Sequence, residues 1–256
     1  MPMDPKVKIL LNLDSNEGHW RNYFAQILGE LQFLANATWL DIAFAVNCPC
    51  SYTANSTVHH VTALKWILWY LKGTKSHRIK YSNSHGDNDK LFHGFFHSFT
   101  NATYANTDDY KSIAGYVFIT AGGAITWQSK RQMFTTLSTT KAKYVALSEA
   151  ACEAYWLRNL YKELGFKQEL PTIIKGDDNR SISIARNPQF HNHTKHITIC
   201  YHRVWDAINK GIVRIDFCHD PEQTANALTK ALHRFKHQKH ITEMGMKSTL
   251  EGTWMW

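Results

Sequence analysis

The densest group of potential metal ligands in this 256-residue chain is the word HNHTKH, which holds His191, His193 and His196. Zinc needs four convergent donors in a tetrahedron, and no cysteine or acid stands at a workable spacing, so these residues read as a solvated loop and not as a zinc centre. The five cysteines, at 48, 50, 152, 200 and 218, are odd in number and lack a metal-ligand rhythm. They read as reduced thiols, not as a disulfide framework. A third group is unusual for its charge. LSTTKAKYVALSEAACEAYWLRNLYKELGF, residues 137–166, has an N-cap Ser or Thr, a 3.6-residue apolar period and Gly165 as its stop. The free N–H groups of a first helical turn favour acids, yet this turn carries Lys141 and Lys143.

The elements that would position these groups follow from periodicity. Residues 18–73 carry helical patterns in WRNYFAQILGELQFLANAT, DIAFAVNC and TVHHVTALKWILWYLKG, and predict a small all-helical segment. The polar stretch TKSHRIKYSNSHGDNDK then marks a boundary, and the expected division is 1–85, 86–245 and a tail at 246–256. LFHGFFHSFT, SIAGYVFIT and AITWQS read as three strands, with AGG as a tight turn before the third. The long helix follows, then PTIIKG as a strand, a short helix from Asn179, HITICYHRVWDAINKG as a helix, IVRIDFC as a strand and a helical tail. Three antiparallel strands followed by αβαβα predict a mixed five-stranded sheet with helices on its faces. A formal charge of +8 and a pI near 9.2 favour polyanionic partners. No run of 18 uncharged apolar residues and no cleavage-site pattern is present, so the expectation is an intracellular chain, cytoplasmic or nuclear, without a membrane span.

In that element order, the words KSIAGYVF, AITWQSKRQ, LSTTKAKYVALSEA, DDNRSISIARNP, FHNHTKHI and TANALTKAL resemble the ribonuclease H domain at the end of the Ty1/copia retrotransposon polyprotein. PMDPKVK, LGELQFLANAT, DIAFAV and ILWYLKGTK resemble the end of the same element's reverse transcriptase. The resemblance implies an α/β, ribonuclease H-like mixed five-stranded sheet preceded by helices. It also implies a family activity, two-metal hydrolysis of RNA in RNA/DNA hybrids. Magnesium is a hard cation that takes carboxylate oxygens, so that chemistry requires an acidic cluster.

Carried over position by position, the resemblance places the four metal-binding acids at 101, 143, 178 and 226, where this chain has Asn101, Lys143, Asp178 and Asn226. Asp178 alone survives, as a vestigial metal ligand. In the family the position of Lys141 is also an acid, which would complete a capping box with Ser138. The expectation is therefore a catalytically inactive fragment that holds no magnesium. Lys143 would occupy the vacated space and pair with Asp178. Asp108, Asp109 and Asp177 are poor substitutes, the first two in a polar turn and Asp177 facing away from Asp178. The alternatives are residual ribonuclease activity, or a non-catalytic module that binds RNA/DNA hybrid or another nucleic acid through Lys130, Arg131, Lys195 and Lys230. The polymerase's own aspartate-bearing strand motif is not in the chain.

The departures share a direction. Asp to Asn, Glu to Lys, Arg to Trp, His or Cys, and Pro to Leu each follow from one C-to-T or G-to-A transition. Set against the family, they appear at Asn101, Lys143, Asn226, Trp39, Leu40, Trp66, Trp69, His193 and Cys200. The expectation is that a transition-biased process degraded this copy. Sister copies that differ from its coding DNA mainly by other changes would overturn that account. Trp66 and Trp69, three apart on one helical face, are then expected to form an exposed apolar patch.

Overall fold

A computed structural model describes residues 1–5, 21–50, 52–53, 56–81, 96–187 and 195–248. The expected boundary near residue 85, the tail beyond 248, and His191 and His193 lie outside the described residues, as do the side chains of Lys195 and His196. The helical front half comprises α1 (Arg21–Ala37), a 3-10 turn at Leu40–Ile42, α2 (Ala43–Cys50) and α3 (Val58–Gly73). The strands and later helices run β1 (His77–Ile79), β2 (His97–Thr103), β3 (Ile113–Thr120), β4 (Gly123–Arg131), α4 (Thr139–Glu163) and β5 (Thr172–Gly176). They continue as α5 (Asn179–Arg186), α6 (Lys195–Asn209), β6 (Val213–Phe217), 3-10 turns at Asp220–Glu222 and Thr224–Leu228, α7 (Arg234–Glu243) and β7 (Met246–Ser248).

The sheet order is β4-β3-β2-β5-β6. β2 pairs antiparallel with β3, and β3 with β4, while β5 runs parallel to both β2 and β6. This is the mixed five-stranded, ribonuclease H-like α/β sheet that the sequence pattern predicts. The AGG turn works because Ala121 and Gly122 both take left-handed backbone, at φ 48° and 75°, which matches a tight hairpin.

Two cores flank the sheet. On one face, Phe96, Tyr116, Phe118 and Ile174 pack against Tyr144, Leu147, Ala151 and Leu157 of α4 and Val204 of α6. The stripe at 144, 147, 151, 154 is the i, i+3, i+4 face that the periodicity marks. Where α4 begins, the apolar contact is made by alanines, Ala142 and Ala146 against Ala102 and Ala114. Their small side chains let the first turn of α4 lie close to β2, which carries Asn101. On the other face, Phe99, Val117 and Ile119 join Leu28, Leu31, Leu64 and Ile67 of the helical front half and Leu228 and Ile241 of the C-terminal region. Helices and sheet thus share one core. Trp66 and Trp69 stay exposed on α3.

The C-terminal region is not the simple helical tail expected from sequence. It crosses the sheet as the 3-10 turn 224–228, and after α7 it pairs β7 with β1 in an antiparallel ribbon, Arg78 opposite Lys247. Gly115 makes the crossing possible. A Cβ there would lie 2.8 Å from Leu228 Cβ and 3.0 Å from Thr229 Cγ2, inside contact distance. Gly115→Ala is expected to cost about 1–3 kcal/mol through overpacking and to lower the melting temperature by roughly 5 °C, as read by thermal denaturation. An unchanged melting temperature would show that the turn is free to move away.

Candidate functional site

Asn101 sits on β2, directly opposite Gly115. It is buried, and its side-chain amide is fully engaged: Nδ2 donates to Asn226 Oδ1 at 2.8 Å, and Oδ1 accepts from the Ala102 N–H at 2.8 Å. Asn226 arrives from the 3-10 turn that Gly115 admits. Its own Nδ2 donates to the Asp220 carbonyl at 2.9 Å and to Asp220 Oδ1 at 3.2 Å. Lys230 Nζ lies 3.3 Å from the same Asp220 oxygen. Burial tends to raise the Asp220 pKa, but Lys230, the hydrogen bond from Asn226 and Lys236 outweigh it and hold the carboxyl below its usual range. Gln223 pins the turn to the sheet by donating to the carbonyls of Thr100 at 3.2 Å and Lys175 at 3.4 Å. Asp220 and Gln223 went unnoticed in the sequence, although both lie within the short stretch DPEQTAN that delivers Asn226.

The other two nominated positions lie on α4, which packs on the other face of the sheet, and just past the end of β5. Ser138 caps α4 by accepting from the Lys141 N–H at 3.2 Å. With lysine at 141, no acid is there to return a bond to the cap. Two residues further in, the ammonium of Lys143 lies 2.9 Å from Asp177 Oδ1, with the side chains 19% and 8% exposed. This corrects the expected partner, Asp178. The Asp178 carboxylate instead caps α5, accepting from Arg180 N at 3.2 Å and Ser181 N at 3.3 Å. A free carboxylate at a helix start is drawn to the unsatisfied N–H groups there. That leaves Asp177 to face the site.

The other nominated groups are engaged elsewhere. Asp108 accepts from Tyr52 at 2.9 Å, and Asp109 holds Arg131 at 3.1 Å and Lys111 at 3.5 Å. Of the basic residues proposed for nucleic acid, Arg131 and Lys230 are thus ion-paired, while Lys130 is exposed. On the same sheet face, beyond the turn, a cavity of about 390 Å³ is lined by His97, Phe99, Lys175 and Cys218 among others. Lys175 Nζ stands 4.9 Å over the Phe99 ring.

Magnesium, which the fold family implies, does not fit these residues. Its ligands should be carboxylate oxygens, whereas here two amides bond each other and an ammonium neutralises the nearest acid. Among the described residues, no three His, Cys, Asp or Glu side chains converge on a metal-sized space. No helix of the described residues is long and apolar enough to cross a membrane.

Fold and site together define an α/β segment of ribonuclease H-like topology in which amides and an ammonium stand at expected acid positions. No family model matches the chain. It is 33% identical over 226 residues, 88% of its length, to the retrovirus-related Pol polyprotein from transposon TNT 1-94 of Nicotiana tabacum. It is 33% identical over 246 residues, 96% of its length, to that from transposon RE1 of Arabidopsis thaliana. The chain spans 16% of the length of each of these relatives. Among solved structures, the N-terminal RNase H domain of a Mycobacterium tuberculosis protein aligns with 58% of this chain and 96% of that one, at 10% identity and a TM-score of 0.40. At that score the strand order, not the superposition, carries the fold class. The chain belongs with the retrovirus-related Pol polyproteins of copia-type transposons, of which it corresponds to one segment.

Proposed function

We propose that this chain is a non-hydrolytic ribonuclease H-like segment of a copia-type Pol polyprotein, with residues 1–85 continuing the polymerase and 86–245 forming the ribonuclease H-like unit. The supporting observation is the 2.8 Å contact between the Asn101 and Asn226 amides, which spends on each other the two groups that would have to face a metal. An amide carries no charge to offset a dication. The positions 101, 143 and 226, taken with Asp177, sum to no net charge, so they supply no field that gathers two cations. Two-metal hydrolysis needs both ions to activate water and to stabilise the leaving oxygen.

The test is incubation of the purified chain with a labelled RNA/DNA hybrid in magnesium and in manganese. The expected result is no cleavage above a no-protein control. Metal-dependent cleavage that disappears with EDTA would overturn the reading. A second reading, a non-catalytic binder of nucleic acid, draws on the +8 charge and on exposed Lys130. In the same preparation, hybrid binding that weakens steeply between 50 and 200 mM salt would support it. No binding at low salt would exclude it.

A further inference from the structure

We infer that Asp177, and not its neighbour Asp178, is the carboxylate that holds the start of α4 at the end of β5, with the Lys143 ammonium as its built-in counter-ion in the role a divalent cation would otherwise fill. The inference builds on the non-hydrolytic reading, because a chain loaded with magnesium would leave Lys143 no place there. Its own support is geometric. Lys143 Nζ and Asp177 Oδ1 are 2.9 Å apart, and both side chains are largely withdrawn from water. Asp178 is committed to two backbone N–H groups of α5 at 3.2 and 3.3 Å. A carboxylate holding a helix cap gives up those bonds if it swings to a cation, so the two aspartates have divided the work between them.

The position of the pair explains why it matters. Lys143 stands on α4 in the segment where Ala142 and Ala146 pack against Ala102 and Ala114 of the sheet. Asp177 follows Gly176, the last residue of β5. The pair therefore ties the first turns of α4 to the far end of β5, beside Asn101 on the central strand. A single charge left without its partner in such a place stays desolvated and uncompensated, whereas losing both removes the conflict.

The test is a double-mutant cycle on the full chain, read as melting temperature. Lys143→Met and Asp177→Asn are each expected to lower it by roughly 5–10 °C. The double variant is expected to fall no further than the worse single one, which is coupling between the two sites. Asp178→Asn is expected to lower it by the loss of a cap and to add to Lys143→Met without coupling. Coupling of 143 to 178, or of 143 to neither, would overturn the inference. Should a single variant not fold, the charge-reversed Lys143→Asp, Asp177→Lys chain decides: recovery of a folded protein supports the pair, and failure to recover counts against it. Hybrid cleavage by the wild-type chain would sink the non-hydrolytic reading, whereas the 143–177 coupling is measured independently of any cleavage.

Discussion

Replacing Asn101, Lys143 and Asn226 together by Asp, Glu and Asp is expected to lower the melting temperature of the metal-free chain by about 10 °C or more, and millimolar magnesium or manganese is expected to restore most of the loss. The three changes take the group formed with Asp177 from neutral to −4. Asn101 and Asn226 now share a donated hydrogen bond of 2.8 Å. Two carboxylates at that distance would repel and would also lose the donor that joins them. A glutamate at 143 would meet Asp177 where an ammonium now stands at 2.9 Å. The metal-free variant therefore carries a buried like-charge cluster, which a dication relieves. Thermal denaturation with and without metal reads both effects. Adding Asp177→Asn to the triple variant is expected to abolish the metal response, and adding Asp178→Asn to leave most of it. A triple variant that melts like the wild-type chain and ignores metal would show that these positions do not converge as one site.

This contrast shows which parts of the molecule were legible in the sequence. The positions of Asn101 and Asn226 came from the resemblance to the copia ribonuclease H domain and not from periodicity or composition. The structure brings the two into direct contact from 125 residues apart. The five strands and their mixed sheet were legible from local pattern, although the order in which they pair was not. β3, IAGYVFIT, is buried along nearly its whole length, as a central strand with its neighbours on both sides should be. The partner of Lys143 was not legible. Alternation along β5 says that Asp177 and Asp178 point to opposite sides, but not which of them the start of α5 will claim as a cap. That contest between strand pleat and helix end is settled by the backbone N–H groups of Arg180 and Ser181.

The β1–β7 ribbon was equally hidden. Three-residue strands such as His77–Ile79 are too short to show a period of two, and their pairing joins residues 77 and 248. Gly115 reads in sequence as a weak spot in a strand. Its reason becomes visible only when Leu228 is found 2.8 Å from where a side chain would begin. The C-terminal turn, the glycine and the buried Asn226 are thus one device: the absent Cβ sets how deeply the turn can sink, and so how near Asn226 comes to Asn101.

The stability difference between wild type and His97→Asn is expected to change by about 2.5 kcal/mol between pH 7.5 and pH 4.5, and the same holds for His237→Asn. Burial first, and Lys175 second, push the His97 pKa from 6.5 down to about 4. Burial likewise brings His237 to about 4, against a weaker pull from the Asp41 carbonyl. A folded-state pKa below the unfolded one means that the unfolded chain binds the extra proton. Each neutral imidazole therefore contributes its full share of stability above pH 6.5, and that share is lost as the pH falls towards 4. Asparagine has no proton to gain, so each variant loses less than wild type on acidification. Asp41 works in the other direction. Burial raises its pKa to about 6, although Tyr70 donates to it at 2.6 Å. Its ionised form is penalised in the folded chain, so stability falls as pH rises from about 4 to 6. Asp41→Asn is accordingly expected to gain on wild type by roughly 2 kcal/mol over that range. Asp41 and His237 touch through the Asp41 carbonyl, where the helical front half meets α7, and their opposite slopes largely cancel between pH 4 and 6. His97 lies on the same sheet face beside the cavity, next to Lys175 and away from Asp41. Denaturant unfolding of the three variants at pH 4.5, 6 and 7.5 checks the signs. Parallel curves for His97→Asn and wild type would show that the imidazole by Lys175 is open to water and takes up its proton at an ordinary pH.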